Sequence, residues 1–161
     1  MKFRKTILRI FAVIFIYMGL CYLYLYNLTV TDLLSITGQI SDRKIVFVQG
    51  TKPQYKHYPM VIDLDNFNQE FRLMDIYSKT FNNIEKQINI GDTVKIYYRT
   101  KLQAFIGFGK RFDIYQLEKD GQVLFPFDAT KSQNKFSFEM MFFLAAFFYG
   151  LSFLIRTKNA S

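Results

Sequence analysis

The stretch from Lys79 to Tyr98, KTFNNIEKQINIGDTVKIYY, changes its hydrophobic period halfway along, and that change decides the fold. In its first half, Phe81, Ile84 and Ile88 recur at spacings of three and four, which predicts a short amphipathic helix with Thr80 as its candidate cap. After Ile90, Gly91-Asp92 makes a turn. Val94, Ile96 and Tyr98 then alternate with Lys95, Tyr97 and Arg99, the mark of a strand with one buried face.

Period-two patterning continues on both sides. Upstream, TGQISDRKIVFVQG (37–50) reads as one long strand with a kink or bulge at Ser41-Asp42-Arg43. KPQYKHYP (52–59) is a connection, YPMVIDLD (58–65) a second strand, NFNQ (66–69) a turn and EFRLMDIYS (70–78) a third strand. Downstream, FDIYQLEKD (112–120) and QVLFPF (122–127) are strands joined by an Asp120-Gly121 hairpin. Three strands, a helix, then two or more strands is the order of an OB-like small β-barrel with one short helix, here placed over residues 29–135. An open antiparallel sheet with one helix is the alternative.

Two apolar runs flank this domain. IFAVIFIYMGLCYLYLYNL (10–28) carries no charge and as a helix would reach about 28 Å, close to the thickness of a bilayer's hydrocarbon core. Its Ile, Leu, Phe and Val side chains favour insertion by about 3–6 kcal/mol, and Tyr22, Tyr24 and Tyr26 suit a headgroup belt at its far end. A second span is predicted over 136–155. Its only charge, Glu139, is placed by this reading in the first helical turn, near the interface and at the favourable end of the helix dipole. The fold class expected is therefore membrane α + β, with two transmembrane helices flanking the β-domain. Gly19 on the first span, and Ala146 and Gly150 on the second, are candidate helix–helix contacts, and the Ala146-xxx-Gly150 spacing permits homo-oligomerisation.

The net charge of +8 is distributed unevenly. Lys2, Arg4, Lys5 and Arg9 precede the first run, and Arg156 and Lys158 follow the second. Between them, residues 27–138 hold 15 Lys or Arg against 12 Asp or Glu. Basicity concentrated at both ends is a topology signal and not a nucleic-acid footprint. The positive-inside rule puts the basic segment 1–9 and the tail 156–161 in the cytoplasm, and the domain between them outside. Lys131 and Lys135 oppose this only mildly. A cleaved signal peptide or a lipidated cysteine fits less well: no Ala-x-Ala-like site ends the first run, and Leu20 directly precedes Cys21.

The layout resembles uncharacterised bacterial two-span membrane proteins with an extracytoplasmic β-domain. The residues that carry the likeness are Gly38-Gln39-Ile40, the YKHYPM of Tyr55 to Met60, and Gly91 to Tyr98 as G-D-x-V-x-V/I-x-Y. YKHYPM departs from the Y-x-P-x-V/I spacing, and residues 100–112 lack the Pro-rich turn after the strand. The resemblance implies a bacterial inner-membrane module without assigned catalysis.

Chemistry-bearing motifs are few. One cysteine and one histidine exclude a disulfide framework and a His or Cys zinc site within one chain. No nucleophile elbow, Walker loop or dinucleotide fingerprint occurs. Asp63 to Glu70 (DLDNFNQE) lacks the Gly and the spacing of an EF-hand and reads as a turn. His57 has no carboxylate within sequence reach and reads as an exposed loop residue. No catalytic, cofactor-binding or metal residue is expected. The remaining candidate is KLQAFIGFGKRF (101–112): Phe105, Ile106, Phe108, Lys110 and Arg111 form a contact loop, with its glycines as hinges. Such a segment either closes the core, touches a protein, or dips an apolar tip with a cationic base into the outer leaflet.

Function is accordingly expected to be binding to another envelope protein by a membrane-anchored domain. The alternatives are an immunity protein that blocks a toxin outside the cytoplasm, and an envelope enzyme using Asp63 and Asp65 on one strand face.

Overall fold

The computed structural model describes residues 2–49 and 56–154. In chain order the elements are helix α1 (Lys2–Tyr26), strands β1 (Leu34–Ile45), β2 (Val48–Gln49), β3 (Lys56–His57), β4 (Met60–Leu64) and β5 (Phe67–Leu73), helix α2 (Ser78–Gln87), strand β6 (Thr93–Tyr98), helix α3 (Lys101–Ile106), strands β7 (Ile114–Lys119) and β8 (Gln122–Phe125), and helix α4 (Phe127–Leu154). The chain divides into two units, Leu28–Thr130 and the two terminal segments. Tyr55 and the tail 156–161 lie outside the described residues.

In the β unit, six strands form an antiparallel sheet in the order β5-β4-β1-β6-β7-β8, and β2 and β3 pair separately. The long first strand serves both halves: its start pairs with β6 and its end with β4. The register shifts between Ile40 and Asp42, at the kink expected near Ser41. Gly38 lies just before that kink, where a Cβ would collide with the side-chain amide of Asn66. The ladder is not closed. A single isolated parallel bridge, Arg72 to Asp113, joins the end of β5 to the residue before β7, and the Arg72 N–H donates to Phe112 O at 2.9 Å.

The change of period is reproduced in the packing. Phe81, Ile84 and Ile88 are buried, as are Val94, Ile96 and Tyr98, and all six join one core with Ile62, Phe71, Leu73, Leu117 and Phe125. Thr80 is not the cap of α2: Tyr77 occupies that position, and the Thr80 hydroxyl donates to Tyr77 O at 2.6 Å. The far end of α2 is held by cations, where orphan carbonyls need donors. Arg43 Nη1 donates to Glu85 O at 2.8 Å and Lys119 Nζ to Gln87 O at 2.9 Å. Asp120 (φ 51°) and Gly121 (φ 77°) both take the left-handed conformation of a two-residue hairpin turn, as the Asp-Gly pair predicts.

In the helical unit, both long helices are apolar and long enough to cross a membrane. Only 17% and 11% of their most apolar windows are buried, whereas the core helix of a soluble domain would be mostly covered. Their bounds differ from expectation. α1 begins at Lys2, within the basic segment, and ends at Tyr26, where the Asn27 side-chain amide donates to Leu23 O at 2.9 Å. α4 starts at Phe127, directly after Pro126, well before the predicted 136. Glu139 is therefore more than three turns into the helix and not in its first turn. It faces Lys135 at 4.0 Å, one turn back. Gly19 meets the Phe142 ring, and Phe15 stacks on Phe148 with centroids 5.4 Å apart. Ala146 and Gly150 are exposed, and nothing lies within 4 Å of a Cβ placed at Gly150; Ala145 and Ser152 are the small residues buried in the apolar part of α4.

Candidate functional site

The segment after β6 is folded and not a hinged glycine loop. Thr100 and Gln103 form a capping box: the Gln103 N–H donates to Thr100 Oγ1 at 3.2 Å, and the Thr100 N–H to Gln103 Oε1 at 2.9 Å. This starts α3. At its end the Phe108 N–H donates to Phe105 O (3.3 Å) and the Gly109 N–H to Ala104 O (3.1 Å), the two bonds of a Schellman turn. The left-handed position of that turn, usually glycine, is held by Phe108 at φ 51°. Gly107 and Gly109 flank it. A Cβ at Gly109 would lie 3.3 Å from Arg99 Nη1, so the chain passes close over a buried guanidinium.

This turn roofs a pocket of about 270 Å³. Val48, Pro59, Met74 and Phe108 supply apolar walls. The polar and charged groups come from several places: His57 on β3, Arg72 near the end of β5, Asp75 in the 3-10 turn that follows it, and Lys110 and Asp113 after the turn. His57 Nδ1 lies 3.0 Å from Asp75 Oδ2, which corrects the reading of His57 as a loop histidine without a carboxylate. The two are eighteen residues apart in the chain, and the β-fold brings them together.

Asp113 is the most enclosed acid of the site, 6% exposed. Its Oδ2 accepts the Lys110 N–H at 3.1 Å, while Oδ1 is buried without a hydrogen-bond partner. Burial raises its carboxyl above the usual carboxylate range, against the pull of the Lys110 N–H and of Arg72, Lys110 and Arg99. Arg72 Nε is likewise buried without a hydrogen-bond partner. Behind them Arg99 lies over the Tyr115 ring at 4.2 Å. Burial pushes the Tyr77 hydroxyl up to about 12 and Tyr115 higher still, so both phenols stay neutral near pH 7.

The predicted contact residues separate. Phe108 and Lys110 line the pocket. Phe105 is 76% exposed and Phe108 63%, so the segment does not close the core. Ile106 is half-buried, and Arg111 packs over the Phe112 ring at 5.1 Å. Leu102, 62% exposed, was not singled out by the sequence. Asp63 and Asp65 do not share one strand face: Asp63 lies on β4 at 3.5 Å from Lys44, and Asp65 sits in the following turn, accepting the Gln39 N–H at 3.1 Å. Among the described residues no cluster of His, Cys, Asp and Glu is placed to hold a metal ion. No family model, curated protein or solved structure matches this chain.

Proposed function

We propose that this chain is a bacterial inner-membrane protein whose two spans anchor an extracytoplasmic OB-like domain, and that the domain binds another envelope protein through the pocket under residues 107–113. The exposed apolar surface of α1 and α4 supports the spans, and the cationic residues near both ends support cytoplasmic termini. The strand order, α2 between β5 and β6, and the parallel Arg72–Asp113 bridge support an OB-like barrel that is nearly closed.

The observation that carries the binding reading is the pocket itself. At about 270 Å³ it is smaller than the roughly 300–1,000 Å³ that small-molecule sites usually occupy, and it suits one anchoring side chain of a partner. Its apolar walls, with basic Lys110 and acidic Asp75 among its lining, offer both apolar and polar contacts to such a side chain.

A photo-cross-linking residue at position 108 should give a discrete protein adduct in intact cells, and one at Ile90, exposed elsewhere on the domain, should not. Lys110→Glu should remove the adduct. Equal adducts at both positions would end the pocket reading. For topology, Cys21 is replaced and a cysteine placed at position 57. A membrane-impermeant maleimide should label it from outside; labelling only after the cells are opened would reverse the orientation.

A further inference from the structure

The pocket leaves part of the 100–113 segment unused. On α3, Gln103 and Ala104 face inward and are buried, while Leu102 and Phe105, three residues apart on one helical face, are 62% and 76% exposed. Lys101 beside them is exposed too. Exposure alone decides nothing, since Ile90 (65%) and Val123 (51%) are single exposed apolar residues as well. The position of α3 along the chain does decide.

The Gln103 side chain donates from Nε2 to Asp32 O at 2.9 Å. Asp32 ends a short 3-10 helix, Val30–Asp32, and only Asn27, Leu28 and Thr29 separate that turn from Tyr26, the last residue of α1. Three extended residues reach about 10 Å and a 3-10 turn adds about 6 Å. Whatever the orientation of the two units, Asp32 is therefore tied within about 16 Å of the point where the first span ends among its tyrosines, and one Gln103 side chain holds α3 to Asp32. Ile90 has no such tether. Ile90 precedes β6 and α3 follows it, and six residues of strand put about 20 Å between them.

We infer that the Leu102–Phe105 face of α3 docks on the outer leaflet of the membrane that anchors the chain, with Lys101 at the headgroups. The inference rests on the membrane reading above. Two large apolar side chains with a flanking cation are what an interfacial helix presents to lipid, and the attachment keeps the effective concentration of that lipid high. The docked face would also set how far the pocket stands from the bilayer, because α3 and the pocket roof are consecutive in the chain.

The chain contains no tryptophan, so each Trp introduced is a sole reporter. Phe105→Trp, Ile90→Trp and Leu20→Trp are reconstituted separately, as full chains, in phosphatidylethanolamine–phosphatidylglycerol vesicles with lipids brominated at shallow or deep acyl positions. The reporter at 105 should emit to the blue and lose intensity to shallow bromine. The reporter at 20 should be quenched strongly, and the one at 90 should be unaffected. If 105 behaves like 90 while 20 is quenched, α3 does not touch lipid, and the membrane reading stands without it. A reporter at 105 that stays in water here yet cross-links to a protein in cells would assign the face to a protein partner instead, and overturns the inference. An unquenched reporter at 20 removes the span, and this inference with it.

Discussion

Phe108 occupies a conformation that few side chains accept, and the cost of that can be measured. Its φ of 51° puts the Cβ close to the following carbonyl, which costs a non-glycine residue about 1–2 kcal/mol. Two substitutions separate this strain from the loss of the ring. Phe108→Ala removes the ring and keeps the Cβ, whereas Phe108→Gly removes both. Any packing the ring makes in the pocket is lost equally in the two variants. Gly pays back part of the gain through its freer unfolded chain, by about 0.5–1 kcal/mol. The net expectation is that Phe108→Gly is more stable than Phe108→Ala by about 1 kcal/mol.

The same pair at Phe105 must give the opposite sign. Phe105 is helical and its side chain is mostly in water, so Ala should exceed Gly there by about 1 kcal/mol. The assay is urea unfolding of the full chain in detergent micelles, followed by tyrosine fluorescence of the β unit, with thermal melts as a check. A difference of 1 kcal/mol corresponds to about 4–8 °C in a domain of this size. If Ala equals or exceeds Gly at position 108, the Schellman assignment is wrong. The Phe108→Gly variant should also retain less of the partner on co-purification from membranes while gaining stability over Phe108→Ala, because strain kept at a pocket wall is strain kept for contact.

Gly38→Ala forces a Cβ onto Asn66, whose amide donates to Thr37 O at 2.9 Å; urea unfolding should show a loss of about 1–3 kcal/mol, and adding Asn66→Ala should recover part of it. Asp92 and Asp113 should tilt the pH–stability curve in opposite directions. Lys119, with the Asn89 N–H, holds Asp92 below the usual carboxylate range, so its contribution is full above the unfolded value near 3.8 and is lost as pH falls through the lower folded value. Asp113 is raised by burial, so its contribution is full below that unfolded value and fades as pH rises through the folded one. Asp92→Asn should flatten the acid limb and Asp113→Asn the limb above it, read from urea midpoints at stepped pH. Thr100→Ala should cost about 1 kcal/mol through the lost cap of α3, and Thr100→Ser should restore most of it.

Period and turn chemistry made much of the β unit legible. Phe81, Ile84 and Ile88 could only share one side of a helix, and Val94, Ile96 and Tyr98 only one face of a strand. Asp120-Gly121 named its own hairpin. The glycines at 107 and 109 hid α3, although Thr100-x-x-Gln103 is a capping box in plain sequence. The His57–Asp75 contact had no such signal, because pairing of β3 with β2 and the exit of β5 create it across eighteen residues. The helix that carries the second span starts well before residue 136, and Lys131 and Lys135 count in the sequence only as topology charges. Pro126 just ahead of the helix and Asp128 in its first turn were the better markers.

The 100–113 segment carries both proposed surfaces for one physical reason. It is fastened at Gln103 to Asp32 and at Phe112 to β5, where Phe112 O accepts the Arg72 N–H. Between those points it cannot retreat inward, because Ile114, Leu117, Phe125 and their neighbours already fill the core. Leu102, Phe105 and Phe108 are thus held largely in water, where each forgoes much of the roughly 1.5–3 kcal/mol that full burial would give. A scaffold that fixes three large apolar side chains outside a complete core stores binding free energy, which only a surface beyond the domain can release. The fluorescence and cross-linking experiments differ in which surface they offer: lipid to Phe105, or protein to Phe108.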